Sequence, residues 1–128
     1  ITMAPLQSSM SNDNSSMGGF IYKNLYNSDE GKYIDYFNTQ SYYSYTFDDY
    51  DAMIKNGYPP DKIVFGMISS QFNSSNMNDA CDTIKLIKQK YKDFGGVFVW
   101  EYCDCPPNNQ DHSEWGQLMY DSINNYIC

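Results

Sequence analysis

Arginine is absent from the 128 residues, so the eight basic side chains are all lysines. They form no basic patch, and sixteen carboxylates leave a formal net charge of −8. Phosphate backbones and anionic membrane surfaces select for clustered basic residues, so neither nucleic acid nor membrane is an expected partner. Also missing is any apolar run near the roughly 20 residues that a bilayer-spanning helix needs. The first residues show no basic segment followed by an apolar one, hence no visible signal peptide. Position 1 is Ile1 rather than methionine, from which we expect a segment of a longer protein. His112 is the only histidine.

What is present suits one ordinary domain. Hydrophobic residues make up 41% of the chain, enough for a core. Thirteen tyrosines and many asparagines fit a neutral polar partner such as carbohydrate, although a compositional bias of the coding sequence gives the same picture. The four cysteines Cys81, Cys103, Cys105 and Cys128, with the sequons Asn14-Ser15-Ser16 and Asn73-Ser74-Ser75, point to a secreted or extracellular protein with Asn14 and Asn73 as glycosylation sites. Cys103, Asp104, Cys105 and His112 match no common zinc spacing, so no metal is expected, and no cofactor.

Four short apolar runs read as strands: Ile1 to Ala4, Tyr33 to Tyr42, Lys62 to Ile68 and Gly96 to Trp100. Helical stretches lie between them. Residues 17–27 are weakly patterned, and 47–56 form a short amphipathic helix closed by Gly57. Over 78–92 Ala80, Ile84, Ile87 and Tyr91 share a stripe, and lysines collect near the end, where they suit the helix dipole. The last helix starts at Ser113 as an N-cap and buries Trp115, Leu118, Met119, Ile123 and Tyr126. Strand alternating with helix implies an α/β fold with parallel strands. A small open doubly wound sheet and part of a (β/α)8 barrel both satisfy this pattern. In either, the polar loops Gln7 to Met17 and Ser69 to Met77 gather at the carboxyl end of the sheet, where α/β sites lie.

The second strand is the most informative. At period two, Asn38, Gln40 and Tyr42 point the same way. Three hydrogen-bonding side chains on one face are costly to bury unless a partner meets them, which leaves a ligand site or a solvated edge strand. Trp100 ends the last strand, and an indole there serves either as core or as a ligand platform. Glu101, one residue on, is expected on the opposite side of that strand, toward the helices. His112 falls in a loop before the last helix and is expected to be solvated.

Ile1-Thr2-Met3-Ala4-Pro5, then Tyr33 through Tyr42, then Asp61-Lys62-Ile63-Val64-Phe65-Gly66, then Phe94-Gly95-Gly96-Val97-Phe98-Val99-Trp100, resemble strands five to eight of a glycoside hydrolase of family 18, the chitinase family. The hevamine-like and bacterial endochitinase branch is the nearest in flavour, with a strand ending Gln-x-Tyr-Asn and a last strand of Gly-Gly-Val type ending in Trp. The resemblance implies that this chain is the carboxyl-terminal half of a (β/α)8 TIM barrel, a single segment over 1–128. It implies chitin or another N-acetylglucosamine-containing glycan as partner, together with an amino-terminal half of the barrel. It also implies substrate-assisted chemistry, in which an acid glutamate protonates the glycosidic oxygen while the substrate's own acetamido carbonyl attacks the anomeric carbon. This departs from the two-carboxylate scheme of most glycosidases.

Residue by residue, Tyr42 matches the tyrosine that hydrogen-bonds the acetamido oxygen, Gln40 the glutamine beside it, and Trp100 the tryptophan that floors the sugar site. Asn38 is expected one layer deeper, and Met3 on the wall. In the implied fold Cys81 lies near the top of its helix and Cys103 and Cys105 just past the last strand, so a Cys81 disulfide to one of them is expected. Cys128, roughly 22 Å along a helix of about 15 residues, is expected to find its partner outside the chain. Two departures stand out. The family's acidic motif Asp-x-x-Asp-x-Asp-x-Glu belongs to strand four and is absent here; the run Asp48-Asp49-Tyr50-Asp51 has no glutamate at the required offset and sits at a helix start. Tyr43 also replaces the family's Asn after Tyr42. The chain therefore does not carry out the family's hydrolysis unaided, and the alternative to a glycosidase is an inactive chitinase-like protein that binds carbohydrate or serves a structural role.

Overall fold

The structure is a computed structural model that describes residues 1–15 and 17–124. Four strands, β1 (Thr2–Met3), β2 (Tyr36–Gln40), β3 (Ile63–Ile68) and β4 (Val97–Trp100), form one parallel sheet in the order β1-β2-β3-β4. Parallel neighbours require long crossovers, and here each contains helix. α1 (Gln7–Asn12) and α2 (Tyr22–Tyr26) lie between β1 and β2, α3 (Phe47–Lys55) between β2 and β3, and α4 (Met77–Lys90) between β3 and β4. α5 (Ser113–Ile123) follows β4.

Register divides the sheet into two faces. Phe37 pairs with Ile63, and Thr39 with Phe65; all four are fully buried on the side that carries the main core. Ala80, Cys81, Ile84 and Ile87, spaced as one stripe of α4, are buried in that core. Tyr45 stacks on Phe65 with ring centroids 4.2 Å apart, while Tyr50 meets Phe65 edge-on at 5.4 Å. Alternation along β2 consequently sends Asn38 and Gln40 to the other face, where both are half-buried.

The element boundaries contract relative to the sequence reading. β1 shortens to two residues, and Asp29–Tyr33 forms a 3-10 turn before β2 begins at Tyr36. Helix over 17–27 reduces to Tyr22–Tyr26. Ser113 is the first helical residue of α5 rather than its cap; its hydroxyl donates to Asp111 Oδ1 at 2.6 Å in the preceding loop, and His112 takes the cap position. Of the apolar residues assigned to α5, Trp115, Leu118, Met119 and Ile123 pack on the core, and Tyr126 lies outside the described residues. α1 occupies a stretch read as loop. Its Gln7 amide reaches the Asp49 carbonyl of α3 at 3.0 Å, and Asn56 donates to the Met10 carbonyl at 2.7 Å.

Acidic residues at the start of α3 have structural partners. Thr46 and Asp49 form a reciprocal capping box. Asp51, only 4% exposed, accepts from Lys55 and Lys90, each at 2.5 Å, and from the Tyr91 hydroxyl, tying α3 to the end of α4.

Candidate functional site

β2, β3 and β4 present a second face whose side chains rise in tiers toward the carboxyl ends of the strands. Gln40, Gly66 and Phe98 are register partners in one row, and Ile68 pairs with Trp100 in the row above. A Cβ on Gly66 would stand 2.1 Å from the Phe98 ring and 2.6 Å from the Thr39 carbonyl, so glycine is what lets Phe98 lie across the sheet. Ala4, Asn38, Gln40, Tyr42, Phe98 and Trp100 enclose an open cavity of about 560 Å³. Its size falls in the ordinary range for small-ligand clefts.

The lining combines apolar area with neutral hydrogen-bonding groups and contains no charged side chain. Gln40 is anchored: its amide donates to the Ala4 carbonyl at 2.6 Å. Neither the Asn38 amide nor the Tyr42 hydroxyl has a hydrogen-bond partner among the described residues, so both retain capacity for a ligand. Burial pushes the Tyr42 phenol above its ordinary value, which keeps it protonated and a donor at neutral pH. Trp100 is 60% exposed, unusual for an indole on a strand, and offers a flat apolar surface to the cavity. The peptide joining Trp100 to Glu101 is cis.

Asn38, Gln40, Tyr42 and Trp100 thus share one cavity. Met3 does not join them. It pairs with Phe37, whose side chain faces the main core; register partners share a face, so Met3 packs there and Ala4 supplies the wall. Phe98 was missed by sequence reasoning although it lies two residues before Trp100 and therefore on the same face. Gly66 left no comparable signal, because its role depends on the ring beside it.

Tyr43 shows how the departure after Tyr42 is accommodated. Its φ is 59°, in the left-handed region where Asn is favoured and Tyr is uncommon. The turn is held by the Tyr43 amide donating to Gln71 Oε1 at 3.0 Å and by the phenol meeting Ser70 Oγ at 3.1 Å.

The expected Cys81 bridge to Cys103 or Cys105 is not formed, since Cys103 and Cys105 both carry free thiols. Cys81 turns inward from α4 and is buried close to Tyr45. Cys105 is buried elsewhere, its sulfur 3.6 Å from the His112 carbonyl, and Cys103 is exposed beside Glu101. Cys128 lies outside the described residues. Glu101 is itself exposed rather than packed on the helices. His112 is partly exposed, its Nε2 lying 2.9 Å from the Asn109 carbonyl. Glu101, Cys103 and Asp104 could bring three ligand atoms within 4.8 Å of one another, but all three are solvated in one loop.

Comparison with protein-family models and with curated proteins gives no match. Solved structures do match. A fungal endo-β-N-acetylglucosaminidase of glycosyl hydrolase family 18 superimposes with a TM-score of 0.83 at 28% identity, over 99% of this chain and 47% of its own. A chitinase from Aspergillus fumigatus gives a TM-score of 0.68 at 25% identity, over 96% of this chain and 47% of its own. The chain therefore spans about half the length of these structures, and its sheet corresponds to part of a (β/α)8 barrel. Parallel strands in sequential order, a cavity at their carboxyl ends and likeness to family 18 structures along nearly the whole chain agree: the chain is similar, over nearly all its length, to part of a glycoside hydrolase family 18 domain.

Proposed function

We propose that residues 1–128 are the carboxyl-terminal half, strands five to eight, of a secreted glycosidase acting on N-acetylglucosamine polymers by substrate-assisted catalysis. The observation that carries this reading is the convergence of Asn38, Gln40, Tyr42 and Trp100 on one uncharged cavity at the carboxyl ends of parallel strands. In this reading the Trp100 indole floors the pyranose and the protonated Tyr42 hydroxyl donates to the acetamido oxygen. As that carbonyl attacks the anomeric carbon, its oxygen bonds to carbon and its nitrogen gains positive charge. The Tyr42 donor orients the group along the line of attack, and Gln40, fixed on the Ala4 carbonyl, borders it. The acid that protonates the leaving oxygen comes from the amino-terminal half of the barrel.

Exposed Asn14 and Asn73 support secretion with N-linked glycans. The test is hydrolysis and binding of chitooligosaccharides by the whole protein. Trp100→Ala is expected to weaken oligomer binding by about 1 to 2 kcal/mol, roughly five- to thirtyfold, through lost apolar contact. Undiminished hydrolysis and binding in a protein carrying both Trp100→Ala and Tyr42→Phe would overturn the proposal. Binding that depends on both residues without detectable hydrolysis would identify an inactive, carbohydrate-binding relative.

A further inference from the structure

A second cavity, of about 450 Å³, lies between the loops that follow β3 and β4. Its wall includes Phe72, Asn73 and Ser74 from the first loop and Asp104, Pro107 and Asn109 from the second. Asn73 is thus at once a wall residue of this cavity and the acceptor of the sequon Asn73-Ser74-Ser75. The side chain is already disposed for modification. Asn73 Oδ1 accepts from the Ser75 amide at 2.8 Å and from the Ser75 hydroxyl at 2.6 Å, while its Nδ2 makes no hydrogen bond among the described residues.

We infer that an N-linked glycan on Asn73 seats its first N-acetylglucosamine residues in this cavity and braces the loop that follows Trp100. The inference rests on the secretory reading above. In the modification, Asn73 Nδ2 bonds to C1 of the first sugar of a lipid-pyrophosphate-linked oligosaccharide. The bond from C1 to the pyrophosphate oxygen breaks, the lipid pyrophosphate departs with the bonding electrons, and one amide proton passes to a base of the transferase. The cavity suits what is attached. The partly exposed Pro107 offers apolar surface to a pyranose, and Asn109, Ser74 and the Asp104 carboxylate are hydrogen-bonding partners for hydroxyl and acetamido groups. Its walls come from two different loops, so a sugar spanning them adds a link between the two.

The experiment uses protein purified from its native source. Mass spectrometry of the peptide containing Asn73 tests occupancy, and hydrogen exchange of residues 102–109 tests the seat. Amides there are expected to exchange about tenfold more slowly in intact glycoprotein than after complete enzymatic deglycosylation. Trimming to a single N-acetylglucosamine should retain most of that protection. An occupied Asn73 with identical exchange in all three forms overturns the seat and leaves secretion standing. A bare Asn73 overturns the seat, and bare Asn73 and Asn14 together overturn the glycoprotein reading as well.

Discussion

Tyr42 offers one hydroxyl to the cavity, and its removal is a sharp test because Tyr42→Phe changes no volume. If the hydroxyl orients the acetamido group along the line of attack, the loss falls mainly on kcat, by roughly 2 to 3 kcal/mol, the hundredfold scale of a misplaced reacting group. In a protein that only binds sugar, the same change weakens oligomer affinity by about 1 kcal/mol. Steady-state kinetics and calorimetric titration separate the outcomes; unchanged values in both would remove Tyr42 from the site. Gly66→Ala tests the floor. A methyl 2.1 Å from Phe98 must displace that ring, and 2.6 Å from the Thr39 carbonyl it must also move backbone, so we expect a loss of about 2 to 3 kcal/mol in urea unfolding and weaker sugar binding. A stable Gly66→Ala protein with native affinity would contradict the packing described. At this scale the sequence was legible where a side chain's direction follows from period two, as for Asn38 and Gln40; Tyr42 reaches the same cavity from the turn just past β2. It was not legible where direction depends on a neighbouring strand: Met3 was misplaced because its face is set by pairing with Phe37.

A buried carboxylate, Asp51 of α3, binds the end of α4. Hydrogen bonds from Lys55, Lys90 and Tyr91 hold Asp51 well below the usual carboxylate range. A group whose folded value is depressed contributes stability that is fully present above its unfolded value, near pH 4, and is lost as pH falls toward the folded value. Urea midpoints should therefore fall between pH 5 and pH 2 more steeply in the native chain than in Asp51→Asn. Asp51→Ala should cost about 1.5 to 3 kcal/mol at pH 7, the scale of hydrogen bonds to a charged acceptor, tempered because both lysines remain partly solvated. Parallel pH profiles for the native and Asp51→Asn proteins would refute this. Elements with a strong period, such as α4, could be read from sequence to within two residues. α1 could not: Gln7, Ser9 and Met10 are buried without an apolar stripe, and the helix is tied down by Gln7 donating to the Asp49 carbonyl and by Asn56 donating to the Met10 carbonyl. Nor could the free thiols, since pairing depends on which way Cys81 leaves its helix.

At the scale of the molecule, the order of strands and helices was readable because parallel strands separated by helical crossovers admit few arrangements. The open sheet and the barrel segment share that order, and likeness to solved family 18 structures is what distinguishes them. One consequence follows for the sheet edges. Among the described residues β1 and β4 each pair on one side only, and they end the sheet next to an exposed Trp100 and an exposed Tyr36. Unpaired parallel edges flanked by exposed aromatics recruit other strands, and a barrel interior is covered only when the ring of strands closes. In the proposed half-barrel reading, the 128 residues produced alone should self-associate, and adding the amino-terminal half should yield a one-to-one complex. Sedimentation velocity gives the stoichiometry, and Trp fluorescence reports burial at Trp100. Trp100→Phe, read against the same mixture, assigns the signal between Trp100 and Trp115, which is already partly buried on the core. A chain that remains a monodisperse monomer, and whose Trp100 emission is unchanged by the amino-terminal half, would show that the sheet is self-sufficient and that the half-barrel assignment is wrong.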